Sequence, residues 1–192
     1  LRSGEYWMDI FVNGTQGNHP WLLPFYIAHG WGLIGEESFL LPLGVAVAFC
    51  IATLGVLFYD LLDRFNWKAA LYSVSFIATV PAFILFSTSQ YSDILVGYYS
   101  LAAATCLLRA LRLDDARYLF LSGLLFGFLA FCKDQGIVIS LIFIFLFFVF
   151  HRYFLPARKR FFWFGILSVL PSVVTVKYWM SLGQAETYIV QL

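Results

Sequence analysis

The sequence predicts an all-α fold, a polytopic helical membrane protein, and three observations carry that expectation. Of its residues 61% are hydrophobic and only 12% are charged, against about 45–50% apolar and about 25% charged in soluble domains. The apolar residues fall into long runs separated by short polar turns, the pattern of helices that cross a bilayer. The basic residues gather in alternate turns, the asymmetry that orients membrane helices.

Taken in order, the chain divides into an outer loop with a short interfacial helix over 1–39 and about six transmembrane helices over 40–182, one membrane domain across 1–192. Gly4 to Pro24 is the one long polar segment. Trp21 to Ile34 is apolar but broken by Pro24, Gly30 and Gly32, and it is short for a hydrocarbon core about 30 Å thick. An interfacial or re-entrant helix fits it better than a span. Gly35 to Ser38 is a polar break, and Leu40 to Tyr59 is the first full span.

The charged stretch Asp60 to Lys68 reads as a turn, and Ala69 to Phe86 as the second span, with Pro81 tolerated inside it. The polar turn Ser87 to Asp93 leads to a third span, Ile94 to Leu108, and the fourth runs from Tyr118 to Cys132. Lys133, Asp134 and Gln135 make a tight hinge before the fifth, Gly136 to Phe150, and the sixth runs from Phe161 to Trp179. Runs of about 15 residues give about 22 Å of helix, so the shorter ones need snorkelling flanks or local bilayer thinning.

Assigning the turns alternately to two sides puts Arg64, Lys68, Arg109, Arg112, Arg117, Arg152, Arg158, Lys159 and Arg160 on one side. Arg2, Lys133 and Lys177 fall on the other. The basic side is therefore cytoplasmic, and the first loop, the 87–93 turn and the Lys133 hinge share the outer side. Glu5, Asp9, Glu36, Glu37, Asp93, Asp134 and Glu186 lie there too. An outward amino terminus, a first residue that is Leu1 rather than Met and the lack of a signal-peptide pattern read as a piece of a longer protein. A net charge of +1 gives no basic face for nucleic acid. The three cysteines, Cys50, Cys106 and Cys132, sit in apolar runs without metal-site spacing and read as core residues.

Five residues on the outer side carry the candidate chemistry. Glu5 and Asp9 are four apart, on one face of any helix they form, and a partly buried carboxylate is suited to accept a hydroxyl proton. A solvated juxtamembrane loop is the plainer reading of both. His19 precedes Pro20 and by itself reads as a turn histidine held by the proline. Asp93 opens a span, where capping and the helix dipole alone would explain it. Lys133 is an outer lysine against the charge bias that would draw an anionic lipid head group, with snorkelling or pairing with Asp134 as the alternative.

The order His19-Pro20-Trp21-Leu22-Leu23-Pro24, Leu33-Ile34-Gly35-Glu36-Glu37, Pro81, Tyr91-Ser92-Asp93, and Gly123 to Gly127 leading to Cys132-Lys133-Asp134-Gln135-Gly136 resembles the GT-C membrane glycosyltransferases. Within them it resembles the branch of protein O-mannosyltransferases and aminoarabinose transferases, family 39-like, over most of the chain. The resemblance implies an inverting transfer of a sugar from a polyprenyl-phosphate-linked donor to a hydroxyl of an acceptor glycan, lipid or protein. It implies a bacterial inner membrane or endoplasmic reticulum setting with the active site on the outer face, among membrane lipids. It also implies that an acidic residue of the first loop, Glu5 or Asp9, serves as base or helps bind a divalent metal ion, and that His19, Asp93 and Lys133 bind substrate. Two departures stand out: Gly4 precedes Glu5 where the family has a second acid, and Trp21 replaces the second proline of its Pro-Pro-Leu.

Two other classes compete. A transporter or flippase would show paired broken helices or internal repeats, and no repeat relates the two halves of this sequence. The other is a membrane scaffold that binds lipid or partner helices without catalysis, which the absence of the family's paired acidic motif favours.

Overall fold

In a computed structural model, the structure describes residues 22–88, 92–150, 160, 162–167, 170 and 174. Every regular element among them is an α-helix: α1 Leu22–Ile34, α2 Leu40–Arg64, α3 Trp67–Thr79, α4 Pro81–Thr88, α5 Asp93–Leu113, α6 Ala116–Cys132 and α7 Asp134–Phe150. Residues 162–167 are helical as well. The all-α expectation is met.

α1 carries Pro24 in its first turn, where the missing N–H costs nothing. It ends at Gly35, whose φ of 85° suits glycine and whose N–H reaches the Trp31 carbonyl at 2.8 Å. The indole of Trp31 donates to the Ser38 carbonyl at 2.9 Å and closes the turn into α2. At 13 residues α1 is about 20 Å long, well short of a span, as expected. Leu22, Leu23 and Ile27 on one side are buried, while Phe25 and Leu33 are exposed.

The stretch read as a charged turn after Tyr59 is helical instead. α2 runs on to Arg64 because Asp60 and Arg64 stand one turn apart and pair at 2.9 Å, extending the helix beyond its apolar run. The turn proper is only Phe65 and Asn66, and Asn66 caps α3 by accepting from the Ala69 amide at 2.9 Å.

The second expected span is bent at Pro81. Proline disfavours helical backbone at the residue before it and cannot donate to the helix ladder. Val80 is extended, and α3 and α4 meet at an angle of 73°. Among the described residues α2 and α5 are long and apolar enough to cross a membrane singly, and α3 with α4 makes a third if the bent pair counts as one. α6 and α7 have 17 residues each, about 25 Å. Most of the sixth expected span lies outside the described residues.

α5 is the helix around which the others pack. Its Leu95, Tyr99, Ala103, Leu107 and Ala110 are buried. The hydroxyl of Ser122 on α6 donates to the Ala103 carbonyl at 3.0 Å, and Ser140 on α7 donates to the Phe126 carbonyl of α6 at 3.0 Å. In an apolar surround such hydroxyl bonds and small-residue contacts replace the hydrophobic effect as the glue between helices. α2 and α3 present exposed Ile51, Tyr72 and Phe76, a surface suited to lipid. A chain of this composition with these faces is an integral membrane protein.

The glycines divide into two kinds. A Cβ on Gly123 would run into the Phe162 carbonyl oxygen, and one on Gly165 into the Phe120 carbonyl oxygen, so α6 and the 162–167 helix touch backbone to backbone. Gly97 on α5 has open space around it. Gly123→Ala should therefore lower stability by about 1–3 kcal/mol through overpacking. Gly97→Ala should leave it unchanged or raise it by up to about 1 kcal/mol. Thermal unfolding of the full-length protein in detergent orders the two; equal melting temperatures would contradict this crossing.

Candidate active site

The two ends of α5 carry opposite kinds of ion pair. At its start, the Lys133 ammonium donates to Asp93 Oδ1 at 2.8 Å, with the two side chains 28% and 31% exposed. At the other end, sixteen residues or about 24 Å along the helix, Arg109 and Arg112 reach back to Asp63 on α2, which thus accepts from two guanidinium groups. Arg109 is only 7% exposed in its side chain, lies 3.3 Å from Asp63 and 3.9 Å from Asp60, and stacks its guanidinium 4.3 Å above the Tyr59 ring.

Each pole is built from local rules. Asp93 occupies the first position of α5, where the helix dipole favours a carboxylate. The N-cap is Ser92, which makes no side-chain cap bond, and the Asp93 carboxylate goes to Lys133. The capping role expected for Asp93 thus gives way to the ion pair. Lys133 is the single extended residue between α6 and α7, with φ −165° and ψ 157°. Its carbonyl accepts from the Gly136 amide at 2.8 Å. A Cβ at Gly136 would collide with the Leu129 carbonyl oxygen, so only glycine lets α7 start this close to the end of α6. The Lys133 to Gly136 sequence is a hinge that aims one ammonium at α5.

Beneath the pair lies a layer of aromatic rings. Tyr99 on α5 shares a 2.9 Å hydroxyl–hydroxyl hydrogen bond with Tyr26 on α1 and stacks on Phe128 of α6 at 5.7 Å. Phe49 of α2 packs between Tyr26 and Tyr98. Beside Asp93, the bend at Pro81 leaves a cavity of about 350 Å³, walled by Thr53, Leu57, Ile77, Phe83, Phe86 and residues of α5 that include Gly97. Among the described residues of its wall Asp93 is the only charged one, and the others suit hydrocarbon.

Of the candidates read from sequence, Asp93 and Lys133 come together across forty positions. Glu5, Asp9 and His19 lie outside the described residues. Among the described residues no group of three His, Cys, Asp or Glu could hold a metal ion. Asp93, with an ammonium on its carboxylate, is a poor ligand for a divalent cation. The sequence reading missed the Tyr26–Tyr99 pair and the burial of Arg109. The signal for both was present: a Tyr98-Tyr99 doublet inside an apolar run, and Asp60 and Asp63 spaced three apart on one helix face.

The two poles should respond differently to charge removal. Arg109→Met strips a buried cation from Asp60 and Asp63 and should cost about 2–3 kcal/mol. Lys133→Met breaks a pair that is about a third exposed and should cost less than about 1 kcal/mol. Melting temperatures and membrane yields of the two variants check this; a larger loss for Lys133→Met would contradict it.

No curated protein and no solved structure matches the chain. The family model described as dolichyl-phosphate-mannose-protein mannosyltransferase matches residues 18–179, a stretch that takes in α1 to α7 and with them both Asp93 and Lys133. The chain belongs to the dolichyl-phosphate-mannose-protein mannosyltransferase family, membrane enzymes of glycosyl transfer.

Proposed function

We propose that the protein transfers a sugar from a polyprenyl-phosphate-linked donor to an acceptor hydroxyl on the outer face of the membrane, with inversion at the anomeric carbon. The observation that carries this reading is the Lys133–Asp93 pair, an ammonium held at a helix break inside the family match. In a single displacement the acceptor oxygen attacks the anomeric carbon, the bond to the phosphate oxygen breaks, and the hydroxyl proton passes to a carboxylate. The donor diester carries one negative charge and the departing phosphate builds a second, so a fixed cation binds the transition state better than the ground state. Lys133 is that cation. Asp93 keeps it oriented until the phosphate takes its place as the stronger partner.

The proton acceptor is assigned to the first loop, to Glu5 or Asp9, with His19 as a second contact to the phosphate. The outer location rests on the charge distribution: Arg64, Arg109, Arg112 and Arg117 lie at the ends of α2, α5 and α6 that face away from Lys133. The bend at Pro81 is the kind of broken helix that transporters use, but they use it in pairs, and α3–α4 is the one such bent pair among the described residues.

Two measurements test this reading. Lys133→Met keeps most of the apolar stem and should cut transfer efficiency roughly ten- to hundred-fold, the worth of a charge-assisted contact of about 1.5–3 kcal/mol; parental transfer by a normally accumulating variant would leave Lys133 an interfacial anchor. For sidedness, single cysteines placed at Gln135 and Asn66 in a chain freed of native cysteines should differ: a membrane-impermeant reagent should label the first and spare the second. The reverse pattern would place the site on the cytoplasmic face.

A further inference from the structure

The cavity at the Pro81 bend adjoins the ion pair through its carboxylate. Asp93, Gly97 and Leu101 stand four apart on α5, on one face, and all three line it. A Cβ at Gly97 would meet nothing within 4 Å, so the helix face is cut away between the carboxylate and Leu101. Leu57 of α2 and Phe83 and Phe86 of α4 stand on other sides, and both Phe86 and Gly97 are exposed, so the cavity opens at the surface of the bundle. An apolar cavity of about 150 Å³ is enough to hold benzene, so a volume of about 350 Å³ has room for roughly a dozen carbon atoms.

The polar end decides what fits. A wall carboxylate repels a phosphate and attracts a hydroxyl, whose bond to an ionised oxygen is stronger than one between neutral groups. A carboxylate offers about four acceptor positions, so the contact to Lys133 leaves room for a second donor. The apolar remainder of the wall rejects a peptide, whose backbone groups would lose water and find no partner. A chain entering from the bilayer only exchanges hydrocarbon for hydrocarbon, so selectivity falls to the carboxylate. When Lys133 turns to the donor phosphate, Asp93 is left facing the cavity without its cation.

We propose that this cavity is the acceptor site and that the acceptor is a lipid alcohol, its hydroxyl on Asp93 beside the phosphate held by Lys133 and its hydrocarbon lying over Gly97. The proposal rests on the functional reading above and names the acceptor class that reading leaves open. The bonds made and broken stay those of the single displacement, and Asp93 serves as a contact that holds the hydroxyl.

The test uses the full-length protein in phosphatidylcholine nanodiscs and dodecanol carrying a photoactivatable diazirine. The probe should label the parts of α4 and α5 that wall the cavity. Unlabelled dodecanol should remove that label, whereas dodecyl phosphate, the same chain with an anionic head, should not. Displacement by both alike overturns the proposal, because the cavity would then take the donor's chain or any chain. Gly97→Leu fills the open space and should cut labelling about ten-fold without lowering the melting temperature. Gly44→Leu, at an equally open glycine of α2 outside the cavity wall, should leave labelling unchanged. Labelling that survives Gly97→Leu is ordinary contact with lipid and overturns the proposal as well. In transfer assays Gly97→Leu should raise KM for dodecanol about ten-fold while donor KM stays within about two-fold. A rise in donor KM instead, or transfer to a serine- and threonine-containing peptide and not to dodecanol, overturns the acceptor assignment. Selective labelling in a parent that transfers sugar to no acceptor sinks the functional reading and keeps the lipid-alcohol site.

Discussion

Burial of α5 is the constraint on which the remaining structure depends. A helix surrounded by other helices in an apolar setting can use only side chains small enough to let backbones approach or polar enough to bond across. α5 meets that requirement with Ala102, Ala103 and Ala110 on its buried face and with the Ala103 carbonyl that takes the Ser122 hydroxyl. The charges are then displaced to its two ends, where Asp93 and Arg109 each find an opposite charge on another element. The helix acts as a strut, and its length sets the separation between the two charged layers.

The layers differ in chemistry as well as in position. Around Arg109 the guanidinium is enclosed, stacked on Tyr59 and shared between two carboxylates of α2. Burial of that depth makes exchange of partners costly, which suits a clamp. Around Lys133 both members of the pair are about a third exposed, so water and ions compete for them and the pairing energy is small. An ion pair of low cost to open suits the role proposed for it, a site that receives and releases a charged group.

Much of this was legible in the sequence, and the failures have identifiable causes. The all-α class, the shortness of α1 and the helix start at Asp93 follow from apolar run length and from residue types at the run boundaries. The extension of α2 to Arg64 was hidden because Asp60, Asp63 and Arg64 look like a turn until Asp60 and Arg64 are seen one helical turn apart. Pro81 was read as tolerated within a span, whereas its steric effect on Val80 won locally. The Lys133–Asp93 contact was beyond reach because nothing periodic connects residues forty apart, although each residue was singled out for its own reasons. Gly136 stood inside a recognised pattern, but its necessity shows only when the Leu129 carbonyl is in place.

The one-residue hinge between α6 and α7 bears on the entropy of binding. A lysine on a free loop must give up both backbone and side-chain freedom when it grips an anion, a loss that subtracts directly from affinity. At Lys133 the backbone is fixed on both sides by helix, locked by the Gly136 amide on its carbonyl, and the ammonium already rests on Asp93. The disorder is removed when the protein folds. In the role proposed for Lys133, what remains at the moment of contact is an exchange of one oxygen anion for another, with little change in the freedom of the chain.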